Sequence, residues 1–210
     1  DRNTERDLRL IERALQSSAT LEACPIAHLI PRAPIGVARS DSCLHAAGGY
    51  CILAKFWWYL EWPQEIQART IRHSVGRNNP TLISINVLEY TTQIISMLGC
   101  YLHIQDLGHN LPDPHPVFLL ECDNTQGEAW LKKGCTSSTI GRALTRLQAA
   151  LLFDNKVGYR FGRVDTKSNV IADGISCILS KSSLTQDFPL LLTQAPSLSG
   201  LRRYLPNAAI

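Results

Sequence analysis

Apolar and polar positions change their period several times along the chain, and each change predicts a new element. Over residues 5–15, Leu8, Ile11 and Leu15 recur at helical spacing among Arg and Glu, which predicts an amphipathic helix. Prolines at 25, 31 and 34 break the chain after it. From Ile35 the period shortens to two. Ile35 to Arg39 alternates and ends at Ser40-Asp41. Gly48-Gly49 then marks a bend before a run from Tyr50 to Phe56, and an aromatic run from Trp57 to Trp62 stops at Pro63. Three strands with short links predict an antiparallel meander. Residues 64–80 are polar, carry Arg69, Arg72 and Arg77, and read as a loop-rich insertion. Asn86 to Tyr101 reads as a helix with Leu88, Thr92, Ile95 and Gly99 on one stripe and Ile94 and Leu98 beside it. Leu107 to Pro116 holds Gly108, Pro112 and Pro114 and reads as a loop.

The second half alternates strands with helices. Val117 to Cys122 is nearly all apolar, which fits a central strand buried on both faces. Residues 126–133 read as a short helix. Ser138 to Phe153 is a longer one, with Ile140, Leu144, Leu147 and Leu151 as its stripe. Tyr159 to Val164 is a last strand and Val170 to Leu179 a closing helix. The order βββαβααβα implies a mixed α/β fold: a five-stranded mixed sheet with helices on both faces. Three regions follow: an N-terminal helical arm and Pro-containing linker over 1–34, a domain over 35–181, and a Ser-, Pro- and Leu-rich tail over 182–210. The arm is expected to pack on the main body or on an upstream domain.

Composition narrows the classes. With 210 residues, 45% hydrophobic and 19% charged, the chain suits one well-buried domain and is neither disordered nor a coiled coil. No apolar run reaches the ~18 residues of a membrane helix, so no membrane partner is expected. The first twelve residues are too charged for a signal peptide. A start at Asp1 suggests a piece of a longer polypeptide. The net charge of +3 permits a nucleic-acid partner without demanding one. Seven cysteines, widely spaced and without a CxxC pair, argue for a reducing, intracellular setting, cytoplasmic or nuclear.

Four carboxylates then stand at informative places. Asp41 ends the first strand, Glu89 lies in the first turn of the long helix, Asp123 ends the central strand and Asp173 opens the closing helix. Strand ends and helix starts converge on one edge of an α/β sheet. Carboxylates gathered there repel one another unless a hard cation sits between them, and Mg²⁺ suits that role. Two such ions about 3.5–4 Å apart would serve an in-line attack on a phosphodiester. Each acid also has an ordinary reading: Asp123 as a helix cap, Glu89 and Asp173 as acids favoured by a helix dipole, Asp41 as a turn residue.

Four motifs carry a resemblance. Ser40-Asp41-Ser42 with Ala46-Ala47-Gly48-Gly49, then Asn86-Val-Leu-Glu89, then Cys122-Asp123-Asn124-Thr125 with Ala129-Trp130 and Lys133-Gly134, then Asn169-Val-Ile-Ala-Asp173-Gly-Ile-Ser176, resemble in order the four motifs of ribonuclease H. The resemblance spans roughly residues 35 to 180. It is greatest to the ribonuclease H domains that follow reverse transcriptase in retrotransposon polyproteins. It implies a ribonuclease-H-like fold and hydrolysis of the RNA strand of RNA–DNA hybrids with two Mg²⁺ ions, Mn²⁺ substituting. Asp41, Glu89, Asp123 and Asp173 would be both the catalytic residues and the metal ligands. An upstream reverse transcriptase domain in the same polyprotein would be a partner. Many members carry a His in the loop before the last Asp; here that loop, Val164 to Ser168, has none and holds Lys167. Asn86 and Asn124 are candidate donors to the hybrid's sugars and backbone, with capping as their alternative.

Other groups could touch nucleic acid. Lys132, Lys133, Arg142 and Arg146 flank the third motif and the next helix and could meet phosphates, or form a solvated face. Ser137, Ser138 and Thr139 could donate to a phosphate, or cap the helix that starts there. Trp57, Trp58, Tyr59 and Trp62 read mainly as core. His103, His109 and His115 recur at a spacing that fits no standard zinc site. Two other functions remain open: a catalytically silent ribonuclease-H-like scaffold or interaction domain of a polymerase polyprotein, and a DNA-acting nuclease of the same superfamily.

Overall fold

A computed structural model describes residues 4–5, 8–9, 11–12, 32–54, 56–71, 82–107, 115–136, 138–153 and 157–177. Strands β1 (Gly36–Ser42), β2 (Ala46–Cys51) and β3 (Phe56–Glu61) form the expected meander. After α1 (Gln64–Arg69) come the two-residue strands β4 (Thr70–Ile71) and β5 (Ile83–Ser84) and the long helix α2 (Ile85–Leu107). Strand β6 (Val117–Cys122), α3 (Thr125–Lys133), α4 (Thr139–Phe153), β7 (Gly158–Arg163), a 3₁₀ turn (Thr166–Ser168) and α5 (Val170–Ser176) complete the described chain.

The five long strands form one mixed sheet in the order β3-β2-β1-β6-β7. The pairs β3/β2 and β2/β1 are antiparallel, while β1/β6 and β6/β7 are parallel. Successive residues of a strand face opposite sides. Ser40 of β1 meets Thr92 and Gln93 of α2. Gly48 of β2 points the other way: a Cβ there would lie 2.3 Å from Ile175 Cγ2 of α5. Helices therefore cover both faces. The core lies chiefly between the sheet and α2, with Ala38, Trp58, Ile94, Met97, Phe118 and Leu120 buried in it. Trp58 Nε1 donates to Ser96 Oγ of α2, so the indole packs without stranding its N–H.

Several boundaries differ from the expected ones. Gly48-Gly49 is not a bend but the middle of β2, paired with Asp41 and Ser40. The glycines are there because α5 and Trp58 approach the backbone too closely for a Cβ. The second strand consequently ends at Cys51. The region 64–80 is not all loop: α1 and β4 occupy its described part, and β4 pairs with β5 just beyond it. β6 is central, but Leu119 and Glu121 are only half-buried, and Glu121 accepts from Arg39 of β1 at 2.8 Å. Helix α2 runs six residues past Tyr101, to Leu107. The closing helix stops at Ser176. At the N-terminus Thr4, Glu5, Leu8, Arg9, Ile11 and Glu12 are helical, but Leu8 and Ile11 are 60% and 54% exposed, so their apolar face is not packed down. Leu15, the prolines at 25 and 31, the tail, and most of the loop at 107–116 lie outside the described residues. Among the described residues no helix is long and apolar enough to cross a membrane.

Candidate metal centre

The parallel pairing of β1 and β6 decides where the acids meet. Arg39 pairs with Glu121, so two residues further along each strand Asp41 and Asp123 stand side by side at the sheet's carboxyl edge. Helix α2 crosses β1 and brings Glu89 to the same place. One oxygen from each of Asp41, Glu89 and Asp123 lies within 4.8 Å of the others. Asp173, on the first turn of α5, is outside that group of three. It is still close enough for its charge to act on Asp41, and the Cys177 thiol lies 3.8 Å from its Oδ1. Ser176, the last residue of α5, donates to Asp41 Oδ2 at 2.6 Å and so ties α5 to β1 at the cluster.

The ordinary explanations fail for two of the acids. Asn124, not Asp123, caps α3: its Oδ1 accepts from the Gly127 N–H at 2.8 Å. That leaves the Asp123 carboxylate for the cluster. Helix α2 starts at Ile85, one residue earlier than expected, and has no acid in its first turn. Glu89 therefore sits in the second turn, 4% exposed, where a solvated acid favoured by the helix dipole does not belong.

Burial and mutual repulsion act together here. Burial pushes the Asp41 carboxyl up to about 6; the Ser176 hydrogen bond opposes this, and the charges of Asp123 and Asp173 add to it. Burial, then Asp41 and Asp123, hold Glu89 well above the ordinary carboxylate range. Glu89 Oε2 is buried and has no hydrogen-bond partner among the described residues. An all-oxygen donor set with a buried, unpartnered carboxylate oxygen fits a hard divalent cation such as Mg²⁺ or Mn²⁺. The neighbouring Cys122 thiol is pushed up to about 12, first by burial and then by Glu89. Its Sγ donates to the Asn124 carbonyl at 3.5 Å, and the group of converging donor atoms does not include it.

The candidate contacts for nucleic acid divide. Asn86 and Asn124 are joined to each other, Asn124 Nδ2 donating to Asn86 Oδ1 at 3.0 Å beside the cluster. Asn124 is thus a cap and a neighbour of the site at once. Lys133 ends α3, Arg142 lies on α4 and Lys167 on the 3₁₀ turn before α5, all three exposed. Arg142 reaches back to Thr139 Oγ1 at 3.3 Å. Ser137 lies outside the described residues, and the Ser138 hydroxyl accepts from the Gly141 N–H, a helix cap. Trp58 and Trp62 are buried, as a core reading requires, whereas Trp57 and Tyr59 are only half-buried. Ser176 and the buried polar residues under the cluster carried no role in the sequence reading. Their signal was weak: a Ser directly before Asp41, and polar side chains interrupting the apolar face of α2. No family model, curated protein or solved structure matches the chain.

Proposed function

We propose that this chain is a divalent-metal-dependent phosphodiester hydrolase that cuts the RNA strand of RNA–DNA hybrids, in the manner of the ribonuclease H domain of a retroelement. The observation that carries the reading is the convergence of Asp41, Glu89 and Asp123 within 4.8 Å, on elements in the order the four motifs require, with Glu89 Oε2 unpartnered. Asp41, Glu89 and Asp123 would hold the cation, and Asp173, whose charge already reaches Asp41, would extend the set toward a second one. When bound, the cations would supply charge neutralisation at the scissile phosphate and a more acidic water.

The chain's own residues have separable tasks. Asp41 and Asp123 present oxygens from the two adjacent strand ends. Glu89 closes the cluster from the helix side. Ser176 holds the Asp41 carboxylate in one rotamer. Asn86 and Asn124 form a polar edge next to the acids that can accept and donate to sugar hydroxyls, the groups by which RNA differs from DNA. Exposed Lys133 and Lys167 add positive charge around an acidic centre, for phosphates on either side of it.

Cleavage of an end-labelled RNA–DNA hybrid in Mg²⁺, beside duplex RNA, duplex DNA and branched DNA, tests the reading. We expect RNA-strand cutting of the hybrid alone, falling at least about a hundredfold in Asp123→Asn. Cutting of branched or duplex DNA instead would favour a DNA-acting relative. No cutting by folded protein in Mg²⁺ or Mn²⁺ would favour a silent scaffold.

A further inference from the structure

Beneath the carboxylates lies a second polar group that the chemistry above does not use. Ser40, Thr92, Gln93 and Asn169 are each at most 1% exposed, where unpaired polar atoms are costly. Their hydrogen bonds form a directed chain. Gln93 Nε2 donates to Ser40 Oγ at 2.7 Å, Ser40 Oγ to Thr92 Oγ1 at 3.2 Å, and Thr92 Oγ1 to the Glu89 carbonyl oxygen at 2.7 Å. Gln93 Nε2 also reaches the Glu121 carbonyl at 3.4 Å, and Asn169 Nδ2 the Ser40 carbonyl at 3.4 Å.

Every member is a short step along the chain from an acid of the site: Ser40 from Asp41, Thr92 and Gln93 one turn from Glu89, the Glu121 carbonyl from Asp123, Asn169 one turn from Asp173. The bonds therefore link β1, α2, the end of β6 and the start of α5, the places from which the four acids project. Apolar packing is non-directional and would allow α2 to shift along β1 under the repulsion between Glu89 and Asp41. Hydrogen bonds between fully buried partners do not allow it. Stability alone does not account for these side chains: Gln93 Oε1 and Asn169 Oδ1 are buried without partners among the described residues, a cost an apolar side chain would avoid.

We propose that Gln93 and Thr92 are positioning residues that act through Ser40 and the Glu89 backbone to fix Glu89 against Asp41, and so set the affinity of the cluster for divalent cation. This rests on the cation-site reading above. The test is calorimetric Mn²⁺ binding to the full chain, beside its metal-free melting temperature. The variants are Gln93→Met, which keeps the length without the amide, Thr92→Val, which keeps the shape without the hydroxyl, and Thr92→Ser, which restores the hydroxyl. We expect the Mn²⁺ dissociation constant to rise about tenfold in the Met and Val variants and to stay within about twofold of wild type in Thr92→Ser. We expect Gln93→Met to melt no lower than wild type. Unchanged Mn²⁺ affinity in both Gln93→Met and Thr92→Val, whatever happens to melting, overturns the proposal. Absence of Mn²⁺ binding by the wild type is a different failure: it removes the cation site itself, and this inference with it.

Discussion

An Asp in an unfolded chain titrates near 3.9, whereas burial holds Asp41 at about 6 in the fold. The folded state thus binds this proton more tightly than the unfolded one. Its contribution to stability is fully present below about pH 4, falls as pH rises through about 6, and is constant above that. The difference, on the order of 3 kcal/mol, is stability that the metal-free protein lacks at neutral pH. Glu89 is displaced in the same direction, and its contribution has the same sign. Urea unfolding in chelator should therefore show stability decreasing between about pH 4 and pH 6. Asp41→Asn should flatten that limb and leave the variant more stable than wild type at pH 7 without metal. An identical slope in Asp41→Asn would mean that the proton is bound elsewhere. Single residues of this kind were only half legible. The convergence of Asp41, Glu89 and Asp123 was legible from their places at strand ends and on the long helix, whereas Asp173 lies outside their group. That Glu89 is buried in the second turn, or that Asn124 takes the cap and frees Asp123, depends on where helices start, which one residue of shift decides.

At the scale of elements, two glycines beside the site differ in what they permit. A Cβ on Gly48 would sit 2.3 Å from Ile175 Cγ2 and 2.9 Å from the Ser176 backbone nitrogen. Helix α5 would have to lift off β2, taking Ser176 away from Asp41. A Cβ on Gly127 meets Asn124 Oδ1 and Glu89 Cβ only at 3.6 Å, ordinary contact. Gly48→Ala should cost roughly 2–3 kcal/mol by overpacking and lower hybrid cleavage. Gly127→Ala should be neutral or up to about 1 kcal/mol stabilising, from helix propensity. Paired thermal melts and cleavage assays check both, and a tolerated Gly48→Ala would refute the close packing. The same packing explains a misread boundary, since Gly-Gly in a strand and Gly-Gly at a bend look alike until the covering helix is known. Helix α1 escaped for the opposite reason. It buries no residue, so it has no apolar stripe to betray it, and a two-residue strand such as β4 has no alternation. The long strands were legible from their apolar runs, α2, α3 and α5 because each lays an apolar face on the sheet, and α4 because it lays one on α2.

At the scale of the whole molecule, the order of strands and helices made the mixed sheet legible, but the pairing of β1 with β6 joins residues about eighty positions apart and is written in no local pattern. That pairing sets Asp41 against Asp123, and α2 crossing beneath adds Glu89. The result is a fold that concentrates negative charge at one edge, with its internal strain growing as the acids ionise. A divalent cation held there, as we propose, would reverse this. It stabilises by mass action, about 2.7 kcal/mol at a hundred times its dissociation constant, and it needs the ionised carboxylates. Proton and metal would therefore compete for the same oxygens. Millimolar Mg²⁺ should raise the melting temperature by several degrees at pH 8, where Asp41 is ionised, and by much less at pH 5, where it holds its proton. The increment at pH 8 should vanish in Asp123→Asn, and NaCl of equal ionic strength should not reproduce it, because screening acts on surface charge and weakly on buried pairs. Melting curves at the two pH values, with chelator, Mg²⁺ and matched NaCl, decide the matter. A Mg²⁺ increment of equal size at pH 5 and pH 8, or one that survives Asp123→Asn, would place the cation outside the cluster and separate the protein's stability from its acids.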